Sequence, residues 1–430
     1  MIDLGSAILT PGLINAHTHL ELTCYAEQIE PSPFWEWIPR LVRLRAAPGQ
    51  LEREARGVED GAWRSVRAGV TCVGDVSRRN VHWRALQSIP MRKVCFVELL
   101  SLADDPPRNM DELRAGVAEV EEDALLTVGV TPHAPYSVPG HEIAESVLLA
   151  RTLGRPWTTH WMETREECAF IRGEVASPHP FLASLLEQCG VVSPRKPPLD
   201  YLAACLVRAN AATANSEPGC RPRTAGLRSD TSTPLPAREA GEGRSRQRGR
   251  HVDSPASADP GSRMTPGGPT PPLLLAHMNY PEPGDARRVA ALGASIAYCP
   301  RAHRFFGHPP HPYRAYRDAG VNVVLATDSL ASNWSLSLLE EARFIRRETP
   351  DPPPAAELLD LLTRGPAWAL GLDALVGTLE PGKQADLAAF SCPPDTDDPA
   401  AFLVDHAPPA QAVWVAGRLI PASERGSAVG

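Results

Sequence analysis

Two histidines spaced i, i+2 close the apolar stretch Pro11-Gly12-Leu13-Ile14-Asn15-Ala16-His17-Thr18-His19 near the start of the chain. Side chains on a strand alternate between faces, so this spacing sends both imidazoles to one side, where they can hold a single cation. Further along, His160, His277 and Asp328 each stand at or beside the end of an apolar, strand-like run. A histidine pair alone is a weak signal. With three more metal-type side chains at the ends of separate runs, it points to a metal-dependent hydrolase.

The elements that must carry these groups alternate between apolar, β-branched runs and helix-like stretches, the pattern of repeated βα units. Eight strands are expected, at Ala7–His17, Gly69–Val76, Arg92–Leu100, Leu125–Thr131, Pro156–His160, Leu273–His277, Ala294–Cys299 and Val321–Thr327. Eight parallel strands with intervening helices close into a TIM-like α/β barrel, whose active site lies at the strands' C-terminal ends. The polar candidates sit at those ends: His17 and His19, His133, His160 with Glu163, His277, and Asp328. After the barrel, Gly377–Phe390 and Ala412–Ile420 read as short strands joined by turns, the makings of a small β domain. The expected layout is a β remnant over 1–12, a barrel over 13–370 and a C-terminal β-sandwich segment over 371–425.

The barrel text is interrupted once, between the fifth and sixth strands. Pro180–Leu186 and Leu199–Leu202 still have helical apolar spacing, but residues 207–272 carry ten arginines, many Pro, Gly, Ser and Thr, and almost no large apolar side chain. Such a stretch buries too little to offset its ordering entropy, so a disordered, solvated insertion is expected. It lacks the interleaved aromatics of a nucleic-acid platform.

The 430 residues are 43% apolar, enough for a sizeable core, and carry a formal net charge of −8. All basic residues but Lys93, Lys196 and Lys383 are arginine, a skew that with 45 prolines suggests a GC-rich genome rather than a nucleic-acid partner. Nine cysteines without CxxC spacing argue against a complete disulfide framework and for a reducing cytoplasm. No apolar run approaches the roughly 18 residues of a membrane span, and no signal-peptide pattern opens the chain.

Taken together, the phrases Pro11–His19, Thr159-His160-Trp161-Met162-Glu163-Thr164, Ala276-His277-Met278-Asn279-Tyr280, Thr327-Asp328-Ser329-Leu330-Ala331-Ser332-Asn333 and Gly377–Leu387 resemble the amidohydrolase superfamily. The likeness is to its branch of nucleoside deaminases and triazine chlorohydrolases. Leu20-Glu21-Leu22, Phe34-Trp35-Glu36-Trp37-Ile38 and Cys299–His308 look like aminodeoxyfutalosine deaminases of menaquinone biosynthesis. Relatives place several strands before the barrel, whereas 16 residues precede His17 here, so the resemblance implies a truncated β-sandwich. It also implies a small-molecule substrate and a homodimer.

Three neutral imidazoles and a carboxylate suit one divalent ion, zinc or ferrous iron, with a position open for water. His17, His19, His160 and Asp328 are the assigned ligands. The ion brings the water's pKa from about 15.7 toward 7. Glu163 is placed as general acid and base for a ring nitrogen, while His277 and Asp328 take the water's proton. Expulsion of ammonia is what the resemblance implies, as is a substrate-binding role for His133. The fourth-strand end, Val130-Thr131-Pro132-His133, offers no lysine to bridge two metals, which favours a mononuclear site. Chloride or amine release, or a non-catalytic homologue, are the competing readings. Ser329 has no GxSxG elbow around it, so a serine hydrolase is excluded.

Plainer roles compete residue by residue. Glu163 could cap the following helix, where Glu166 and Glu167 crowd, and His277 could be structural. Glu98 and His303 are weaker candidates for the pocket. Phe34, Trp35, Trp37 and Ile38 are expected to pack on the core rather than wall the substrate.

Overall fold

The computed structural model describes residues 3–102, 104, 106–214, 272–421 and 424, without the side chains of 211–214. Among the described residues, twelve strands fall into two sheets. The first run expected as one strand is two: β1 (Ala7–Pro11) and β2 (Leu13–Thr18), with Gly12 between them. The Gly12 amide donates to the Asp386 carbonyl at 2.8 Å, and from there the chain leaves one sheet for the other. Alternation of apolar residues cannot mark that change, because both halves are apolar.

The larger sheet takes its parallel strands in chain order: β2, β3 (Val70–Ser77), β4 (Arg92–Leu99), β5 (Leu126–Pro132), β6 (Trp157–Trp161), β7 (Leu273–His277), β8 (Ser295–Tyr298) and β9 (Asn322–Leu325). A parallel bridge between Thr18 and Asp328 brings its two edges together, so the eight strands form the expected (β/α)8 barrel. Strands buried on both faces read as continuous apolar runs, which is why β3 and β4 are buried at every position. Ile14, Cys72, Val94, Phe96, Leu274 and Val324 pack together inside the barrel. Their neighbours Leu13, Val73, Cys95, Leu275 and Val323 belong to the larger core made with the helices.

The smaller sheet is antiparallel, in the order β1, β10 (Leu387–Ser391), β11 (Ala412–Val415), β12 (Arg418–Leu419). Ala416 and Gly417 join the last two with φ of 50° and 79°, the left-handed pair a two-residue hairpin needs. A buried ion pair, Arg92 Nε to Asp386 Oδ2 at 3.1 Å, ties β4 to the entry of β10.

Around the barrel, helices return the chain between strands. Pro180–Leu182 is a 3-10 turn leading into helix Ala183–Gln188, and helix Pro198–Ala214 contains Leu199–Leu202. That helix corrects the expected start of the disordered insertion, since residues 207–214 continue its turns. The rest of the insertion, 215–271, lies outside the described residues. No described helix is long and apolar enough to cross a membrane.

Gly74 in β3 marks a close approach. A Cβ there would lie 2.4 Å from the carbonyl oxygen of Ala16, the residue before His17, and backbone cannot step aside cheaply. Gly74→Ala is therefore expected to lower unfolding free energy by about 1–3 kcal/mol, measured by urea titration. An unchanged midpoint would mean that β2 and β3 separate freely.

Candidate metal centre

His17 lies on β2 and His19 just past its end, their ring centroids 5.1 Å apart. His160 closes in from β6, 5.1 Å from the His17 ring and 5.3 Å from His19. Asp328 arrives from the segment after β9, with Oδ1 3.7 Å from His19 Nε2. One potential ligand atom from each of His17, His19 and Asp328 falls within 4.8 Å of the others, and the same holds for His17, His160 and His277. All four assigned ligands and His277 thus gather in two groups that share His17.

The donor set fits a cation. Both ring nitrogens of buried His17 lack a hydrogen-bond partner. His19 Nε2 and His160 Nε2 stand 3.3 Å apart, and His160 Nδ1 donates to the His133 carbonyl at 2.9 Å, which leaves its Nε2 as a lone pair facing inward. Burial first, then neighbouring imidazoles, holds His17 and His19 well below the usual histidine range, and burial lowers His160 to about 4. Neutral imidazoles with converging lone pairs are what a divalent ion such as zinc binds.

Glu163, two residues past β6, puts Oε1 3.5 Å from His277 Nε2. The competing role of helix cap belongs to other residues. Thr164 Oγ1 accepts the Glu167 amide at 3.1 Å, and Glu167 reaches back to the amides of Met162 at 2.7 Å and Glu163 at 3.1 Å. That is a variant of the capping box in which the acid three residues into the helix accepts the two amides before the cap residue. It frees the Glu163 side chain to face His277 and fixes the backbone that carries it. Burial, then Asp328 and Glu167, raises the Glu163 carboxyl well above the ordinary range. Burial raises Asp328 to about 7, against the bond from Ser332 Oγ to Oδ2 at 3.0 Å.

A cavity of about 260 Å³ opens over these groups. His133 lines it, with Nδ1 bonded to Ser137 Oγ at 2.6 Å, and so does Glu98, whose buried Oε1 has no partner. His303 does not: its nitrogens lie 2.6 Å from the Pro309 carbonyl and 3.2 Å from Asn279 Oδ1. Helix Phe34–Arg45 covers the mouth. Its Phe34, Trp35, Trp37 and Ile38 pack as expected and, beyond that expectation, wall the cavity too. Trp35 Nε1 donates to Thr164 Oγ1 at 3.1 Å and Trp37 Nε1 to the Ala331 carbonyl at 2.9 Å, pinning the helix to the loops that carry Glu163 and Asp328.

The sequence reading missed Ser332, which holds Asp328, and the Thr164–Glu167 pair, although the spacing T-x-x-E before a helix is a recognisable signal. Two outcomes follow. His17→Ala should cut bound metal to roughly a tenth of wild type or less, read by elemental analysis of folded protein; full retention would exclude His17 as a ligand. Glu167→Ala should lower stability by about 1–3 kcal/mol because two buried amides lose their acceptor, measured by urea unfolding.

Known proteins bear on this geometry. The chain is 24% identical over 419 residues to a 5-methylthioadenosine/S-adenosylhomocysteine deaminase of Nitratidesulfovibrio vulgaris, covering 91% of this chain and 72% of the relative. It superposes on a Helicobacter pylori aminofutalosine deaminase bound to methylthio-coformycin with a TM-score of 0.72 at 21% identity, over 97% and 87% of the two chains. An adenosine deaminase from Xanthomonas campestris with bound zinc gives 0.70 at 21% identity, over 99% and 83%. The two structural likenesses establish a shared fold. Residues 8–196 and 235–420 match the amidohydrolase family, most of the chain, and the histidines and aspartate gathered at the barrel mouth lie in those segments: the protein belongs to the amidohydrolase family, a family of metal-dependent hydrolases.

Proposed function

We propose that this protein is a mononuclear deaminase that releases ammonia from an aminated purine-nucleoside-like compound, with aminodeoxyfutalosine the leading candidate. The observation that carries the reading is the Glu163–His277 pair, 3.5 Å apart beside Asp328, on the floor of a cavity walled by aromatic side chains. A planar heterocycle fits such a wall, and an acid beside a base is what hydrolysis of an amidine-like carbon requires. The names of the three similar proteins, deaminases of adenosine, methylthioadenosine or S-adenosylhomocysteine, and aminofutalosine, favour the same substrate class.

A divalent ion held by His17, His19, His160 and Asp328, zinc first and ferrous iron second, supplies the chemistry of a water that ionises near neutral pH. Zinc stands first because the Xanthomonas structure carries it. Glu163, protonated by its burial, gives its proton to the ring nitrogen next to the amino-bearing carbon, which makes that carbon electrophilic. His277 and Asp328 accept the proton lost by the attacking water. That proton passes to the departing nitrogen, and the hydroxyl proton left on the new oxygen returns to Glu163, so that C–NH2, the ring nitrogen and water become C=O, a ring N–H and ammonia with both side chains restored. His133 binds the ring from the β5 side. The described cysteines are free thiols, in keeping with a cytoplasmic site of action.

The test is a panel of adenosine, methylthioadenosine, aminodeoxyfutalosine and chlorotriazines, with ammonia and chloride both measured on metal-loaded protein. Ammonia from at least one nucleoside is expected, and Glu163→Gln should lower kcat by about 10²–10⁴-fold while keeping its metal. Chloride without ammonia would replace this reading with dehalogenation. Turnover unchanged in Glu163→Gln would remove Glu163 from the chemistry.

A further inference from the structure

The stretch Cys299–Tyr316 is rich in histidine and aromatic residues, yet the roles above use none of them. The geometry points to His311 as a positioning residue for His277, an inference that rests on the proposed role of the Glu163–His277 pair. His311 Nε2 donates to the His277 carbonyl oxygen at 2.8 Å. Its ring stacks on Tyr298 with centroids 4.0 Å apart and planes 14° from parallel, so the donor is held in one direction.

What His311 grips is an unusual turn. His277 and Met278 have φ of 74° and 55°, two successive residues with Cβ in the left-handed region, which such residues avoid. The turn is what points His277 Nε2 at Glu163 instead of along the strand. It persists only if the surroundings over-determine it. Four bonds do so: His311 to the His277 carbonyl, Tyr316 Oη to the Met278 carbonyl at 3.0 Å, the Met278 amide to the Trp161 carbonyl at 2.9 Å, and the Asn279 amide to the Met162 carbonyl at 2.9 Å. The last two tie the turn to the segment that leads into Glu163. The first two come from outside the catalytic strands and decide where the carbonyls point. Without His311 the His277 peptide is free to rotate toward an ordinary conformation, which swings the imidazole away from its partner.

His311 touches neither the cavity nor the assigned ligands, so its removal separates aim from binding. His311→Phe keeps a stacking ring and deletes the donor. Its kcat is expected to fall about 10- to 100-fold, with KM within about twofold of wild type. His311→Gln, which can present an N–H near the same place, should recover most of that loss. In a His277→Ala background, His311→Phe should slow turnover no further, because there is nothing left to aim. Should His311→Phe not accumulate as folded protein, Tyr316→Phe removes one hydroxyl from the same turn and carries the same expectation. A lowered unfolding midpoint with wild-type kcat per folded chain, or losses that multiply in the double variant, would overturn the proposal. A crystal structure of His311→Phe tests it apart from any substrate: the His277 ring should leave Glu163, and an undisturbed ring overturns the inference. Wild-type protein that deaminates nothing would instead sink the proposed reaction.

Discussion

The centre exists because the barrel closes where it does. Asn15 Nδ2 donates to Thr327 Oγ1 at 2.7 Å and Asn15 Oδ1 accepts the Thr327 amide at 3.2 Å. Next to them Thr18 Oγ1 donates to the Asp328 carbonyl at 2.9 Å, across 310 residues of sequence. These bonds are buried, so each would cost the full desolvation of its groups if left unmade. They set the register of β2 against the strand that precedes Asp328. A one-residue slip would turn His17 and His19 to the opposite face, and no side-chain adjustment could recover the ligand set.

Within that frame the electrostatics are mutually dependent. Three imidazoles, a fourth at His277 and two carboxyls share one buried space, and burial is the largest force shifting each of them toward its uncharged form. A cation changes the sign of that argument locally, since it favours ionised Asp328 while leaving the imidazoles neutral as ligands. Glu163 stands farther round, beside His277, and Glu167 next to it adds a like charge that opposes its ionisation. In the proposed reaction the two carboxyls of this cavity take different tasks, Asp328 to hold metal and Glu163 to hold a proton.

How much of this was legible in the sequence depends on what kind of bond carries it. His17, His19, His160, His277 and Asp328 were legible because strand ends in a βα barrel converge, so end placement stands in for proximity. The split of Ala7–Pro11 from Leu13–Thr18 was not, since alternation reports burial and says nothing of which sheet a strand joins. The freedom of Glu163 was legible in principle, from Thr164 and Glu167 at capping-box spacing, but three glutamates in five residues obscured it. His311 could not be read at all. It acts through a backbone carbonyl 34 residues away, and such a bond leaves no trace in side-chain periodicity.

The positions of unusual backbone follow the same logic. Among the described residues, Met162, His277 and Asp328 all have positive φ, at 54°, 74° and 58°. Each lies at the exit of a barrel strand, and each is, or directly precedes, a side chain of the proposed reaction. Left-handed backbone at residues with a Cβ costs about 1–3 kcal/mol apiece and survives only where neighbouring bonds leave no alternative. Glu167 supplies those bonds at Met162, His311 and Tyr316 at His277, and Thr18 with Ser332 at Asp328. A strand exit left to relax would continue in extended backbone and carry its side chain past the centre. The barrel therefore spends stability gained in its core on three sharp turns, and those turns convert a ring of strand ends into groups aimed at one point.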